Sequence, residues 1–460
     1  QNIGFEAIDL ANGLFRVTNR FYFTNLKKYM VHYSVTANNK VVRSGKVSLD
    51  IEPQASKEFT VPVGNLKPQA GTEYFVNFNV TTVEKEPLIP IGHEIACDQF
   101  RLPIESPKKA FKTSGPKLTV STNGDNLSAS SSKVNFMFNK KTGIVTSYKV
   151  DGTEYFSEGF GIQPNFWRAP TDNDYGNGMP KRLQVWKESS KNFNVTDATV
   201  TMDGNNAVVN VNYLLPAGNL YIVNYTIYPS GAVNVAARFT STDMDATQTE
   251  VSESTRTATF TPGRDAARKE ASKLNVPRIG VRFRLPASMN QVEYFGRGPA
   301  ENYLDRNAGS MVGLYKSTAE ELYFPYVRPQ ENGHHTDTRW VSLSTGKKGL
   351  LIQADNTIGF NALRNSIEDF DDEEATGLSR QWSNFTPEQV ANHDEAAAKN
   401  VLRRQHHIND ITPRDFVEVC VDLKQQGVAG YDSWGSRPEP AYTLPANREY
   451  NWGFTLIPLK

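Results

Sequence analysis

The sequence contains little cysteine and no excess of charge of either sign. Its 460 residues include two cysteines, Cys97 and Cys420, whose wide separation fits neither a metal motif nor a disulfide framework. We interpret each cysteine as a small buried apolar residue. The 50 Lys and Arg residues equal the 50 Asp and Glu residues, so the chain has no bulk attraction for nucleic acid or for an anionic membrane.

Long apolar runs are also missing. No run of about 18 apolar residues occurs, which excludes a transmembrane helix and predicts a soluble chain. Residues 1–5 contain no basic stretch followed by an apolar one, so we expect no signal peptide. The sequence starts with glutamine rather than methionine, and we expect a processed product or a piece of a longer protein. The compartment is left undetermined.

Helical periodicity is scarce. The best candidate is 387–399, with Thr386 as its N-cap. A weaker candidate is 263–273, inside a stretch at 240–275 that we interpret as a surface insertion. Nowhere do strands alternate with helices of about 10–15 residues, as a (β/α)8 barrel requires. We therefore expect no such barrel within these residues.

Short runs with period-two alternation fill the chain instead, so the predicted fold class is all-β. Residues 1–103 contain such runs at 30–36 and 74–80, with the spacing of an immunoglobulin-like β-sandwich. Residues 104–117 are rich in proline and lysine and lack periodicity, which predicts a linker. Residues 118–460 continue with strands and no second linker, which predicts one very large sandwich domain.

Four segments of the second domain combine turn residues with aromatics, arginine and carboxylates. They are 165–174 (NFWRAPTDND), 294–306 (YFGRGPAENYLDR), 325–340 (PYVRPQENGHHTDTRW) and 430–435 (GYDSWG). Polar loops on a rigid β-scaffold are where binding residues concentrate. Aromatic faces beside planar polar groups suit sugars. For any single residue the alternative is structural, because Arg–carboxylate pairs and Asx-turns also brace loops.

In content and order these segments, together with 276–286 (VPRIGVRFRLP), resemble the large C-terminal domain of the β-galactosidases of glycoside hydrolase family 2. Residues 1–103 resemble the sandwich that precedes this domain in the same enzymes. The resemblance implies that residues 118–460 form a β-supersandwich similar to galactose mutarotases. The resemblances of the two domains together cover essentially the whole chain.

The same resemblance implies an activity and its location. The enzymes of this family hydrolyse terminal β-D-galactosyl bonds with retention, through two glutamates on a (β/α)8 barrel that lies N-terminal to both domains. We therefore expect this chain to begin after that barrel, to contain no catalytic residue, and to be inactive alone. Its expected role is to buttress the barrel and to line the rim of the active site.

The resemblance also assigns a substrate contact. In the family, the tryptophan of the DSW segment reaches the active site of the barrel and forms an apolar platform for the sugar or the leaving group. That position matches Trp434 here, with Asp432 beside it. The alternative is that Trp434 is a buried core residue of the last hairpin.

The loop at 168–174 is expected on the same rim. We hypothesise that Arg168 and Asp172 brace this loop and that Asn173 or Asp174 faces the barrel. The alternative is a brace that lies entirely within the domain. These substrate-side assignments, like that of Asp432, come from the resemblance and from loop composition.

Other carboxylates and histidines are weaker candidates for catalytic or metal-binding residues. Glu301 and Glu331 each precede an asparagine, but both lie in Pro/Gly loops and not at barrel strand ends, so we expect neither to be catalytic. The acidic run at 368–374 lacks the ligand pattern of a calcium loop and is predicted to be a solvated loop. The histidine pairs 334–335 and 406–407 are expected to make structural hydrogen bonds, because neighbours on a strand point apart.

The expected partners are a galactoside, through the intact enzyme, and the catalytic barrel of the same protein. Nucleic acid and membrane are not expected partners, and homo-oligomerisation is left open. No cofactor is predicted in this chain, since the Mg²⁺ and Na⁺ that some members of the family use are bound mainly by the barrel. Two rival functions are a stand-alone carbohydrate-binding module and a mutarotase-like enzyme with a Glu base and a His acid.

Overall fold

A computed structural model describes residues 1–240, 274–371, 407–432 and 435–460. The predicted helix at 387–399, the weaker one at 263–273, His406 and Trp434 lie outside these ranges. The chain forms two compact units. Unit 1 comprises Gln1–Phe111 with Ala308–Leu314, and unit 2 comprises Lys112–Asn307 with Tyr315–Lys460.

Unit 1 is a sandwich of two antiparallel sheets. Its strands are β1 (Ile3–Asp9), β2 (Leu14–Asn19), β3 (Tyr29–Ala37), β4 (Lys40–Ser48), β5 (Ser56–Thr60), β6 (Tyr74–Thr82) and β7 (Glu94–Arg101). One sheet has the order β1-β2-β5 and the other the order β4-β3-β6-β7. This is the immunoglobulin-like arrangement that the strand spacing predicts.

The core of unit 1 follows from the alternation of its strands. On the β3–β6 pair, Val31 faces Val80 and Val35 faces Val76, and all four side chains are buried. Phe78, on the same face, stacks on Phe5 with ring centroids 4.4 Å apart. The apolar residues of the two sheets thus meet between them, as in other aligned sandwiches.

Unit 2 carries the remaining strands. They are β8 (Thr119–Asn123), β9 (Asn126–Ser130), β10 (Val134–Asn139), β11 (Ile144–Val150), β12 (Thr153–Glu154), β13 (Gln163–Asn165), β14 (Asn194–Asp203), β15 (Asn206–Leu214), β16 (Leu220–Ile227), β17 (Val233–Thr240), β18 (Arg278–Pro286), β19 (Gln291–Gly298), β20 (Met311–Thr318), β21 (His335–Ser344), β22 (Gly349–Leu363), β23 (Phe416–Gln425) and β24 (Tyr450–Leu459). The first residues of β20 are grouped with unit 1.

These strands form two sheets over one continuous apolar core. The five-stranded sheet has the order β12-β11-β10-β9-β8. The other has twelve strands, with the path β13-β18-β23-β22-β24-β17-β16-β15-β14 and with β21 joining β19 to β22. On β10 the predicted alternation buries Val134, Phe136 and Phe138. The all-β fold class is therefore confirmed.

Four short α-helices interrupt the strands of unit 2 in its described residues. They are α1 (Asp172–Gly176), α2 (Met179–Arg182), α3 (Gln184–Ser189) and α4 (Ile367–Phe370). None of them was predicted, because elements of four to six residues are too short to show helical periodicity. The local sequence does contain start signals, since Thr171 and Ser366 each open a capping box with an aspartate three residues later.

The expectation of a solvated acidic loop at 368–374 fits Glu368, which is exposed, but is wrong for the two described aspartates. Asp369 and Asp371 are buried. Asp371 accepts a hydrogen bond from Trp167 Nε1 at 2.7 Å and pairs with Lys187 at 2.7 Å. Cationic partners from distant parts of the chain compensate these charges, and a run of acidic residues gives no sign of them. Residues 372–374 lie outside the described ranges.

Candidate functional site

The four segments singled out in the sequence lie together in unit 2 around residues 427–432 and 435–436, and we call these described residues the terminal loop. Asp305, of segment 294–306, accepts hydrogen bonds from the backbone N–H groups of Val428 and Ala429 at 2.9 and 2.7 Å. Gln330, of segment 325–340, accepts one from Asp172 N at 3.0 Å. The structure thus unites loops that are far apart in sequence.

Asn173 also contacts the terminal loop directly. Its side-chain amide donates to Ser436 O at 2.6 Å and to Val428 O at 3.2 Å, so one residue joins both ends of the loop. Asn173 occupies the second position of α1, whose N-terminus is fixed by the capping box of Thr171 and Asp174. A short capped helix therefore presents this amide in a defined direction.

Arg168 lies beneath this arrangement. It is fully buried, and its guanidinium donates to both carboxylate oxygens of Asp174, at 3.1 and 2.9 Å. It also donates to the carbonyls of Gln426 and Gly427, at 2.9 and 3.2 Å. Arg168 thus connects α1 to the start of the terminal loop from the inside, and Asp174, which is buried as well, is its partner within the unit.

The described ends of the terminal loop are held close together. Asp432 accepts a hydrogen bond from Ser436 N at 3.2 Å, and Ser436 Oγ accepts one from Tyr431 N at 3.1 Å. Gly435 has a φ of 83°, and a Cβ there would lie 2.4 Å from the backbone of Gly176 in α1. Only glycine fits this approach. Trp434 itself lies outside the described residues.

An exposed rim adjoins these contacts. Asp172 is exposed, and its carboxylate lies 3.4 Å from Arg328 Nη1. The guanidinium of Arg328 lies 3.9 Å from the centre of the Tyr175 ring. Asp432 and Tyr431 are also exposed. Carboxylates, a stacked guanidinium and aromatic rings are groups that bind hydroxyls and the apolar faces of sugars.

A cluster of buried charges lies behind the same loops. Arg278 is fully buried and donates to Glu331 Oε1 at 3.0 Å, while its Nε lies 3.1 Å from Asp422 Oδ2. Gln425 links this cluster to Arg168, since its amide donates to Glu331 at 2.9 Å and its carbonyl accepts from Arg168 at 3.3 Å.

Sequence reasoning assigned no role to Arg278. Its segment, 276–286, contributes only to the family resemblance. A detectable sign was present, because arginines at 278, 282 and 284 interrupt an otherwise apolar strand. An arginine in a buried strand needs a carboxylate partner. The sequence does not show which carboxylate fills that role.

Burial dominates the titration of this cluster. It raises the pKa of Asp422 to about 7, although Arg278 beside it acts in the opposite direction, and Glu331 adds to the rise. Neither oxygen of Asp422 accepts a hydrogen bond from the described residues, so desolvation outweighs the ion pair. His334, which lies 3.9 Å from Asp422, has a pKa lowered well below its usual value by burial and by the positive charge of Arg278.

The two adjacent histidines contact different groups. His334 immediately precedes β21, and His335 is the first residue of β21. His334 Nδ1 lies 2.9 Å from Asn361 Oδ1. The ring nitrogens of His335 lie 3.1 and 3.2 Å from the carbonyls of Gly333 and Pro299, and burial lowers its pKa to about 4. These are the structural hydrogen bonds that the sequence predicts.

Glu301, the other glutamate followed by asparagine, is held within the unit as well. It accepts hydrogen bonds from the hydroxyl of Tyr326 and from Gly333 N, the latter at 2.7 Å. Burial raises the pKa of Glu301, and burial together with Glu301 raises that of Tyr326 to about 12. Both glutamates therefore have structural partners.

A cavity of about 20 Å³ lies against Arg278 and Glu331. Its other walls come from Asn361, Glu418 and Cys420 among others. A volume of this size holds about one water molecule, not a sugar ring. Across the described ranges, no group of three or more His, Cys, Asp or Glu side chains is placed to hold a metal ion. In the same residues, no helix has the length and apolar character to cross a membrane.

The fold defines an all-β chain, and comparison with known proteins specifies its family. A family model described as beta galactosidase small chain matches residues 130–456, which is more than half of the chain. A second, described as beta-galactosidase domain 4, matches residues 15–103. The chain therefore belongs to the β-galactosidase family, and it corresponds to these two domains.

Curated relatives match over nearly the whole chain. A beta-galactosidase of Priestia megaterium is 30% identical over 100% of this chain and 39% of its own length. One of Streptococcus thermophilus is 24% identical over 96% of this chain and 37% of its own length. The chain thus spans less than two fifths of these relatives. Among solved structures, galactose 1-epimerase from Lactobacillus acidophilus matches 75% of this chain and 98% of its own, with 8% identity and a TM-score of 0.36.

Proposed function

We propose that this chain is the non-catalytic C-terminal part of a retaining β-galactosidase. In this proposal the catalytic barrel precedes Gln1 in the full-length protein. The chain buttresses the barrel and lines the rim of its active site with the terminal loop. The substrate is a galactoside, hydrolysed at its terminal β-D-galactosyl bond.

The observation that carries the proposal is the position of Asn173, which binds Val428 and Ser436 at both ends of the terminal loop. Arg168 supports the same loop from the buried side. Such bracing prepares a loop for binding, because a site formed before substrate arrives loses less entropy on binding. The polar residues are therefore proposed to act through loop geometry, with Asp172 and Asp432 at the exposed rim.

The chemistry divides between the two parts of the proposed enzyme. Retaining hydrolysis needs two carboxyl groups about 5–5.5 Å apart across the glycosidic bond, and we assign these to the barrel. Residues 1–460 supply orientation and an apolar surface. We propose Trp434 as the platform, since a ring stacked on the apolar face of a sugar adds about 1 kcal/mol of binding.

The experiment that tests this function uses the full-length protein. Replacing Trp434 by alanine is expected to raise KM for galactosides about fivefold, because about 1 kcal/mol of stacking is lost, with a smaller change in kcat. Trp434→Phe is the matched variant and should restore most of the affinity. An unchanged KM in Trp434→Ala would remove the platform role.

The isolated chain tests the rest of the proposal. It should not hydrolyse an aryl β-galactoside, and turnover that survives purification would contradict the non-catalytic role. Calorimetry with galactose and lactose addresses the rival carbohydrate-binding module. Flat titrations at millimolar sugar would exclude that rival, and saturable binding would favour it.

A further inference from the structure

Four large apolar side chains of unit 1 are exposed on two neighbouring loops. Tyr22 and Phe23 are 75% and 96% exposed between β2 and β3, and between β6 and β7 Leu88 is fully exposed and Ile91 is 65% exposed. No other large apolar side chain in the described residues of unit 1 is as exposed. We call these four side chains the end patch. Soluble proteins expose such clusters chiefly where something binds.

The two loops belong to the same end of the sandwich. The first residue of β3, Tyr29, pairs with the last residue of β6, Thr82. An ion pair of 3.0 Å between Lys28 and Glu86 joins one loop to the other. The charged neighbours in sequence, including Lys27 and the pair at 84–85, are exposed. Exposed aromatic and aliphatic side chains with charged residues nearby in sequence are a composition found at protein interfaces.

The loop that carries Tyr22 and Phe23 is fixed from its buried side. Asn19 is fully buried, and its amide donates to Thr24 O at 2.8 Å and to Ile51 O at 3.0 Å. Its carbonyl oxygen accepts from Phe21 N at 3.0 Å. The two aromatic rings are therefore presented to solvent by an ordered backbone, and their burial in an interface requires little further ordering.

The first residue of the chain lies beside this loop. Asn2 O accepts a hydrogen bond from Arg20 N at 2.8 Å, and Gln1 O accepts one from the Arg20 guanidinium at 3.4 Å. Gln1 is thus paired with a residue two positions before Tyr22. Any polypeptide joined to Gln1 leaves unit 1 next to the end patch. The Priestia megaterium relative is long enough for such a polypeptide, since this chain spans 39% of it.

We propose that the end patch is the docking surface for an apolar face of the domain joined to Gln1. The inference rests on the proposed function, in which that domain is the catalytic barrel. A neighbour in the same polypeptide is the favoured occupant, because its short connection gives it a high effective concentration at the patch. Docking there orients the barrel through unit 1, by contacts separate from those of the terminal loop.

Hydroxyl-radical footprinting of side chains tests the proposal directly. The 460-residue chain and the full-length protein are oxidised in parallel, and the rates at Tyr22, Phe23, Leu88 and Ile91 are compared by mass spectrometry. In the full-length protein these rates are expected to fall about tenfold, as for side chains at the centre of an interface. Val41 and Val42, exposed on β4, are the internal control and should change less than about twofold. Equal rates at the end patch in the two proteins would overturn the proposal.

A variant gives an independent readout. Phe23→Ser combined with Leu88→Ser in the full-length protein should lower its thermal midpoint by several degrees, because an interface is weakened while the core of unit 1 is untouched. The matched control is Val41→Ser with Val42→Ser, which should not shift the midpoint. A midpoint that is equally unchanged in both double variants would count against docking.

The remaining outcomes separate this inference from the proposed function. Protection that increases with protein concentration would assign the patch to a second copy of the chain and overturn the proposal. An active β-galactosidase with an unprotected end patch would overturn the docking and leave the proposed function standing. A full-length protein without galactosidase activity would overturn the proposed function, and the footprint would still decide whether the preceding domain docks there.

Discussion

The core of unit 1 is held by phenylalanine rings, whereas the interior of unit 2 also contains arginines paired with carboxylates. In unit 1, Phe78 contacts the rings of four other phenylalanines, at 5, 15, 59 and 100. In unit 2, Arg168 and Arg278 are fully buried with their acidic partners. The core of unit 1 therefore contributes apolar packing, whereas the interior of unit 2 also contains charged groups that make directional bonds.

Buried ion pairs are a poor source of net stability, because desolvation offsets most of their attraction. Their directional bonds, however, set loop geometry. Arg168 binds the carbonyls of Gln426 and Gly427, and Glu331, the partner of Arg278, lies in one of the four segments. The buried charges of unit 2 are thus found behind the loops that we propose for the rim. The buried amide of Asn19 in unit 1 has the same relation to the end patch.

The largest expected effect comes from removing one buried charge. Arg278→Met leaves Glu331 and Asp422 without their cation and should lower the free energy of unfolding of unit 2 by about 3–5 kcal/mol. Phe78→Ala is the counterpart in unit 1, with a similar loss of about 3–5 kcal/mol from the cavity. All six tryptophans lie outside the ranges of unit 1, so tryptophan fluorescence in urea follows unit 2.

The stability losses of the two variants should respond differently to pH. The loss in Arg278→Met is expected to depend on pH, because Asp422 titrates beside it, while the loss in Phe78→Ala should not. An Arg278→Met protein within about 1 kcal/mol of the wild type would contradict a tightly coupled charge cluster. A fluorescence midpoint that Phe78→Ala shifts as strongly as Arg278→Met does would show that the two units unfold together.

The next effect is a pH dependence confined to unit 2. Burial raises the pKa of Asp422 to about 7 in the folded state, above its unfolded value of about 3.9. The folded protein therefore retains a proton that the unfolded chain releases, and this stabilisation is lost as pH rises through 7. His335 has the opposite sign, since its pKa is lowered to about 4 from an unfolded value of about 6.5, so the effect of Asp422 has to be measured against a variant that retains His335.

Asp422→Asn should remove this dependence. Between pH 6 and pH 8 the wild-type free energy of unfolding is expected to fall by about 1 kcal/mol more than that of the variant. Denaturant unfolding at the two pH values, followed by tryptophan fluorescence, measures the difference. Arg278, Glu331 and His334 face this carboxylate, and parallel curves for the two proteins would show that Asp422 does not cause the pH dependence.

Much of the scaffold could be predicted from sequence, but the contacts behind the site could not. Period-two alternation identified β10, because Val134, Phe136 and Phe138 repeat on one face. Helix α1 was missed because five residues show no period, although Thr171 and Asp174 have the capping spacing. The pairing of Arg278 with Asp422 depends on the packing of β18 beside β23, which local sequence does not encode.

A smaller effect is expected at the bond between α1 and the terminal loop. Asn173→Ala removes two hydrogen bonds to backbone carbonyls and should cost about 1 kcal/mol of stability. In the full-length protein it should also raise KM severalfold with little change in kcat, because the loop loses its fixed geometry. Asn192→Ala is the control. Among the described side chains, the Asn192 amide donates a hydrogen bond only to the nearby Glu188 carboxylate. An Asn173→Ala protein with wild-type KM would show that the hydrogen bonds of Asn173 do not control the geometry of the proposed rim.

The smallest change in stability is expected at the exposed pair of Asp172 and Arg328, which are 60% and 37% exposed and 3.4 Å apart. Asp172→Ala should change the free energy of unfolding by less than about 0.5 kcal/mol, as for other exposed ion pairs. The KM of the full-length protein, together with its stability, then distinguishes a substrate contact from a structural brace at Asp172. A raised KM with unchanged stability would place the carboxylate at the sugar, while a loss of more than about 1 kcal/mol would make Asp172 a structural brace like Arg168.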